Sequence, residues 1–153
     1  MSQRERNDSL TPFNASKYHV GIVVAQFNSD ITESLLNSAL EEAKRYKIPS
    51  KNIIVKRVSG CVEIPVVLKA MAQRKKYDAL VVFGAVIRGE TDHYTYVANI
   101  VSDGVLSVMM DYGTPVGFGV LTCENSKQAK ARLDLGAGAL AAAIQGARII
   151  KEL

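Results

Sequence analysis

Runs of apolar residues alternate along this chain with apolar residues at three- and four-residue steps, and each change of period marks an element. His19-Val20-Gly21-Ile22-Val23-Val24-Ala25 has the pattern of a buried strand and stops at Gln26-Phe27-Asn28. Leu35, Leu36, Ala39, Leu40 and Ala43 then give one face of a helix. Ser29 or Asp30 is expected to cap it, Glu33 stands at capping-box spacing from Asp30, and Pro49 is expected to end it. Residues 53–58 read as a second strand. Pro65 suits the first turn of the next helix, whose buried stripe is Val67, Leu68, Met71 and Ala72. Leu80-Val81-Val82-Phe83 is a third buried strand, and Tyr94, Val97, Val101, Val105 and Val108 make the helix after it. Pro115 opens a fourth strand over 116–121. A helix over 126–133, a break at 134–138 and an Ala-rich C-terminal helix complete the pattern. Residues 1–16, polar and containing Pro12, are expected to form a loose arm ahead of a single domain over 17–153.

Four strands alternating with helices predict one four-stranded parallel sheet with helices on both faces, a three-layer α/β sandwich. Such sheets bind ligands beyond the carboxyl ends of their strands. The unusual residues fall there: Phe27 and Asn28, then Cys61, Val62 and Glu63, then the stretch from Gly84 to His93. That stretch, Gly84-Ala85-Val86-Ile87-Arg88-Gly89-Glu90-Thr91-Asp92-His93, reads as a strand-to-helix turn. Gly84 and Gly89 free its backbone, and Thr91 or Asp92 is placed to cap the helix. The first free N–H groups of a helix suit a small anion such as phosphate, and His93 stands beside them.

Composition narrows the class. With 48% hydrophobic and 22% charged residues over 153 positions, the chain holds a real core and is not disordered throughout. The net charge of +4 is concentrated between Lys44 and Lys76, where Glu63 is the only acid. That stretch lacks the aromatic interleaving of a single-strand binder, so it is read as a solvated face and no nucleic-acid partner is expected. Cys61 and Cys123 have no metal spacing, and no metal is expected. The first residues lack the apolar core of a signal peptide, and no apolar run nears the roughly 20 residues that span a bilayer. A cytoplasmic protein without membrane partners is the expectation.

Each candidate residue has a plainer role beside its chemical one. His93 can shuttle protons near neutral pH or simply begin a helix. Glu63 can bind hydroxyls or amines, or favour the helix dipole. Phe27 can stack on a flat heterocycle or pack in the core. Arg132 can grip a phosphate or sit on the surface. A cysteine nucleophile would need a base, and none stands near Cys61 or Cys123. Neither G-x-G-x-x-G nor a P-loop is present, so dinucleotide and nucleoside-triphosphate binding have no motif.

Taken together, Gln26-Phe27-Asn28, the segment from Gly60 to Pro65, the segment from Gly84 to Tyr94 and the run from Pro115 to Thr122 resemble the lumazine synthase family. The resemblance implies a flavodoxin-like fold. It implies condensation of 5-amino-6-ribitylaminouracil with 3,4-dihydroxy-2-butanone 4-phosphate, with no cofactor, to give 6,7-dimethyl-8-ribityllumazine, phosphate and water. It places Phe27 and Asn28 with Cys61, Val62, Glu63, Ala85, Val86 and Ile87 around the pyrimidine and ribityl chain. Glu90 and Thr91 go to the phosphate, and His93 to proton transfer. Phe118 and Arg132 are contributed by a neighbouring subunit, Arg132 to the phosphate. The implied assembly is a homopentamer, in some members built into an icosahedral shell. A flavin- or lumazine-binding homologue without turnover is the alternative, and the retention of His93 and Arg132 favours the enzyme. Two departures stand out: Val62, where the family usually has a larger side chain, and a lysine-free stretch over 133–138. The Ala-rich last helix, or the helix from Thr91, is expected in a subunit interface.

Overall fold

Strands without a polar face need cover on both sides, and three layers supply it. The computed structural model describes residues 10–153. Strand β1 (Val20–Ala25) is buried at every position. Helix α1 (Ser29–Arg45) leads to strand β2 (Ile53–Val58) and helix α2 (Ile64–Gln73). Strand β3 (Ala79–Ile87), helix α3 (His93–Tyr112) and strand β4 (Val116–Cys123) follow, then a short helix α4 (Ser126–Lys130) and a long α5 (Leu135–Glu152). All strands are parallel, in the order β2-β1-β3-β4. This is the order of flavodoxin-like sheets, whose switch point lies between β1 and β3.

Strand side chains alternate in direction, so each strand feeds two cores. Val20, Ile22, Val24, Val81 and Phe83 pack with α1 and α5, whereas Val23, Leu80 and Val82 pack with α2 and α3. The edge strand β2 alternates between shielded and exposed positions over residues 53–56.

Several local expectations give way to tertiary contacts. No capping box starts α1: its N-cap is Asn28 in the left-handed region at φ 62°, without a side-chain cap. Glu33 turns instead to Arg57, which donates to its two carboxylate oxygens at 2.7 and 3.0 Å and holds its carboxyl below the usual range. Pro49 does not end α1. Lys47 at φ 60° does, with the Lys47 and Ile48 N–H groups donating to the Lys44 and Ala43 carbonyls, a Schellman closure. Strand β3 continues through Gly84 to Ile87, so the turn to α3 spans only 88–92.

At the C-terminal end, α4 is shorter than the expected 126–133 helix, and the expected break at 134–138 is largely helix, since α5 starts at Leu135. Its Gly136 packs against the backbone of Leu35, where a Cβ would collide with the Leu35 carbonyl. The small residues of α5, Ala139, Ala141, Ala143 and Ala147, are buried inside the subunit. Within the subunit its close backbone approaches are Gly136 against Leu35 of α1 and Ala139 against Gly117 of β4. Large apolar side chains lie exposed on both helices expected at an interface: Tyr96, Ile100, Leu106 and Met110 on α3, the last 76% exposed, and Ile149 and Ile150 on α5.

Of the expected arm, residues 1–9 lie outside the described residues. Residues 10–16 are packed: the Ala15 N–H donates to the Tyr46 carbonyl at 2.8 Å, Phe13 meets Tyr46 edge-on, and Gln145 donates to the Thr11 carbonyl at 2.9 Å.

Gly136→Ala should destabilise the fold by about 1–3 kcal/mol, because the methyl group meets backbone that cannot rotate away. Gly89→Ala, where an added methyl meets nothing within 4 Å, is the control. Urea denaturation compares them, and equal midpoints for the two variants would refute the tight α1–α5 contact.

Candidate active site

Strand β1 stops short of β3, and a pocket opens in the space beyond its end. The β1–β3 ladder finishes with Val24 opposite Phe83, while β3 stays paired with β4 as far as Ile87 opposite Cys123. Around this end of the sheet lies a cavity of about 560 Å³. Its wall is Phe27 after β1, residues 59–63 after β2, Ala85, Val86 and Ile87 at the end of β3, Gly89 and Thr91 in the turn, and His93, Tyr94 and Val97 on α3.

Local chemistry fixes each part. The N–H groups of Gln26 and Phe27 donate to the Val58 and Ser59 carbonyls at 2.7 and 3.0 Å, tying the chain after β1 to the chain after β2. Phe27 is left 72% exposed at the pocket's lip, an orientation that core packing does not explain. Cys61, Val62 and Glu63 form a short 3₁₀ turn packed close to β3. Gly84 permits that approach, since a Cβ there would collide with the Cys61 sulfur. Glycine is needed at this position for packing within a strand and not for a turn. Asp92 holds the N-cap position of α3 without a side-chain cap bond, and the Thr91 hydroxyl just before it accepts from the His93 N–H at 3.3 Å.

The structure therefore gathers Phe27, Cys61, Val62, Glu63, Ala85, Val86, Ile87, Thr91 and His93 in one pocket. Asn28 does not line it: its side-chain amide donates to the Ala85 carbonyl at 3.0 Å. Glu90 is also outside the lining. Phe118, 40% exposed on β4, and Arg132, exposed after α4, are not part of the pocket of their own subunit. The Arg132 guanidinium donates to the Gln128 carbonyl at 2.7 Å. Tyr94 and Val97 escaped the sequence reading because their helical spacing assigned them to the core; only the position of α3 turns its first two turns toward the cavity. Ser59 carries no motif of its own.

The pocket lining has one carboxylate, Glu63, and neither lysine nor arginine. Arg88 is outside the lining, 3.1 Å from Glu124 and stacked 4.7 Å over the ring of Tyr94 on the pocket wall. Burial raises the Cys61 thiol from its usual 9 to about 11, so it is neutral at physiological pH and a poor nucleophile.

That shift has a consequence for stability. The folded chain keeps the Cys61 proton where the unfolded chain loses it, so the contribution is full below about pH 9 and lost by about pH 11. Thermal denaturation from about pH 8 to about pH 11 should show less loss for Cys61→Ala than for the wild-type chain. Superimposable profiles would exclude the thiol as a cause.

The sequence places this geometry in a family. The family model described as 6,7-dimethyl-8-ribityllumazine synthase matches residues 17–151. A protein named 6,7-dimethyl-8-ribityllumazine synthase from Azoarcus sp. (strain BH72) is 39% identical over 153 residues, covering 97% of this chain and 98% of that protein. With a parallel sheet in flavodoxin-like order and a pocket at its switch point, the chain belongs to the 6,7-dimethyl-8-ribityllumazine synthase family.

Proposed function

We propose that the pocket at the β1 and β3 ends is where this member of the family condenses 5-amino-6-ribitylaminouracil with 3,4-dihydroxy-2-butanone 4-phosphate. The observation that carries the reading is the pairing of an exposed aromatic ring, Phe27, with an imidazole, His93, on the wall of one largely apolar cavity. A flat pyrimidine stacks on Phe27, with its edge toward residues 85–87. Glu63 accepts hydrogen bonds from the ribityl hydroxyls.

The chemistry asks for little more than proton management. The pyrimidine's amine attacks the ketone carbon, water leaves to give an imine, the C–O bond to phosphate breaks, and the second nitrogen closes the ring with loss of water. Every step moves a proton, and His93 is the group on the wall suited to move it near neutrality. Phosphate binds at the start of α3 through backbone N–H groups at Glu90 and Thr91, since the Glu90 carboxylate would repel it.

A phosphate ester carries about −1.5 to −2 charges, and the helix end offsets only about half a charge. The pocket lining adds no cation. Arg132 of a neighbouring subunit supplies the charge in this reading, with Phe118 of that subunit closing the pyrimidine side. The exposed apolar face of α3 supports a homo-oligomer, and family resemblance makes it a pentamer. Among the described residues, no helix is long and apolar enough to cross a membrane.

His93→Ala should slow the chemical step by roughly 10²- to 10⁴-fold and leave pyrimidine binding nearly intact. Single-turnover kinetics at saturating substrate decides it, and unchanged turnover would remove His93 from the mechanism. Arg132→Ala should raise the KM for the butanone phosphate more than that for the pyrimidine. If the two residues of one site come from different subunits, assembling His93→Ala and Arg132→Ala chains together should restore part of the activity. Mixed assemblies as inactive as either variant alone would mean that both residues serve the same subunit.

A further inference from the structure

Where β1 ends, β3 is left with buried backbone groups and no strand to pair them. Ala85 is two residues past the last β1–β3 pair and only 3% exposed, so water does not replace the missing strand. Side chains take its place. Asn28 donates its Nδ2–H to the Ala85 carbonyl at 3.0 Å. The Cys61 sulfur packs beside it, over Gly84, where a Cβ would collide with it.

Asn28 is itself held. It sits at φ 62°, a region that asparagine tolerates better than most residues. Its carbonyl accepts the N–H groups of Ile31 and Thr32, both at 3.0 Å, and so starts α1. Its predecessor Phe27 is tied to Ser59. One residue therefore joins the start of α1, the aromatic lip and the pocket floor.

We infer that Asn28 is a positioning residue, whose amide stands in for the missing strand at Ala85 and sets the spacing between Phe27 and residues 85–87 without touching the substrate. This rests on the reading of the pocket as the pyrimidine site. It differs from a direct contact in what the side chain does: all its consequences for the ligand pass through the β3 end.

Asn28→Gly tests this cleanly, because glycine adopts the same backbone conformation and only the amide is lost. Asn28→Asp keeps the size but turns an acceptor toward the Ala85 carbonyl. Two quantities are measured on the assembled protein: the dissociation constant for 5-amino-6-ribitylaminouracil, and deuterium exchange of the backbone amides over residues 85–88. Asn28→Gly should weaken pyrimidine binding about five- to tenfold, the scale of one hydrogen bond, and speed exchange by a similar factor while kcat at saturation changes less. Asn28→Asp should do more on both counts. Weaker binding with unchanged exchange would make Asn28 a direct contact and overturn the inference. Faster exchange with unchanged binding would make it purely structural, which also overturns it. Phe27→Ala runs alongside: full pyrimidine affinity in that variant would refute the stacking reading, while Asn28 would still be judged on its own two measurements.

Discussion

The last residues of β3 form a strand with a strand partner on one side only. On the β4 side the ladder runs to Ile87, and on the other it ends at Phe83. A strand end in that state must either fray or find other partners for its buried amides. Here the segment after β1 supplies one, the Asn28 amide, and the segment after β2 covers the strand end with the Cys61 sulfur. The missing Cβ at Gly84 lets the Cys61–Glu63 turn come near enough to do so. The pocket is the volume left between these two segments and the start of α3. Its floor is held by partners that depend on side-chain identity, which explains why so much of the chemistry gathers at a place where regular pairing stops.

Electrostatics and assembly meet on α3. Its first two turns contribute His93, Tyr94 and Val97 to the cavity, and its outer face carries Tyr96, Ile100, Leu106 and Met110. A helix with both faces apolar is suited to cover on both sides. A neighbour seated on the outer face would lie beside the pocket mouth, the place from which a cation is wanted. Burial of α3 by a second chain and completion of the anion site are then one event in the proposed arrangement.

Much of the fold was legible because it rests on hydrophobic period. The four strands and most of the helices follow directly from runs such as Val81-Val82-Phe83 and from the spacing of Val101, Val105 and Val108, all buried as expected. What was not legible lies where distant segments decide the outcome. Gly84 looks like a turn residue until Cys61 is placed against it. Gly136 looks like part of a break until α1 is seen to need its missing side chain. Glu33 has the spacing of a capping residue, yet Arg57, 24 positions away, offers two charge-assisted bonds that a backbone N–H cannot match. Phe27 and His93 could be singled out from residue type and neighbours alone. Tyr94 and Val97 could not, because nothing local separates a core position from a pocket wall.

The departure over 133–138 bears on Arg132 in a definite way. Residues from Leu135 onward are absorbed into α5, whose Gly136 seats it on α1, so only a four-residue turn over 131–134 separates α4 from α5. Asn125 caps α4 through the Gln128 N–H at 2.9 Å, and the Gln128 carbonyl in turn accepts from Arg132. A long side chain on a short turn between two seated helices has few ways to wander, and its guanidinium is held in an exposed position before any ligand arrives. Preorganisation of this kind lowers the entropy that binding would otherwise cost. It suits a residue meant to meet an anion across a subunit boundary, where the partner surface, and not its own chain, completes the site. With no lysine over 131–134, Arg132 is the only cationic side chain of this turn, so the proposed phosphate contact depends on where one turn points.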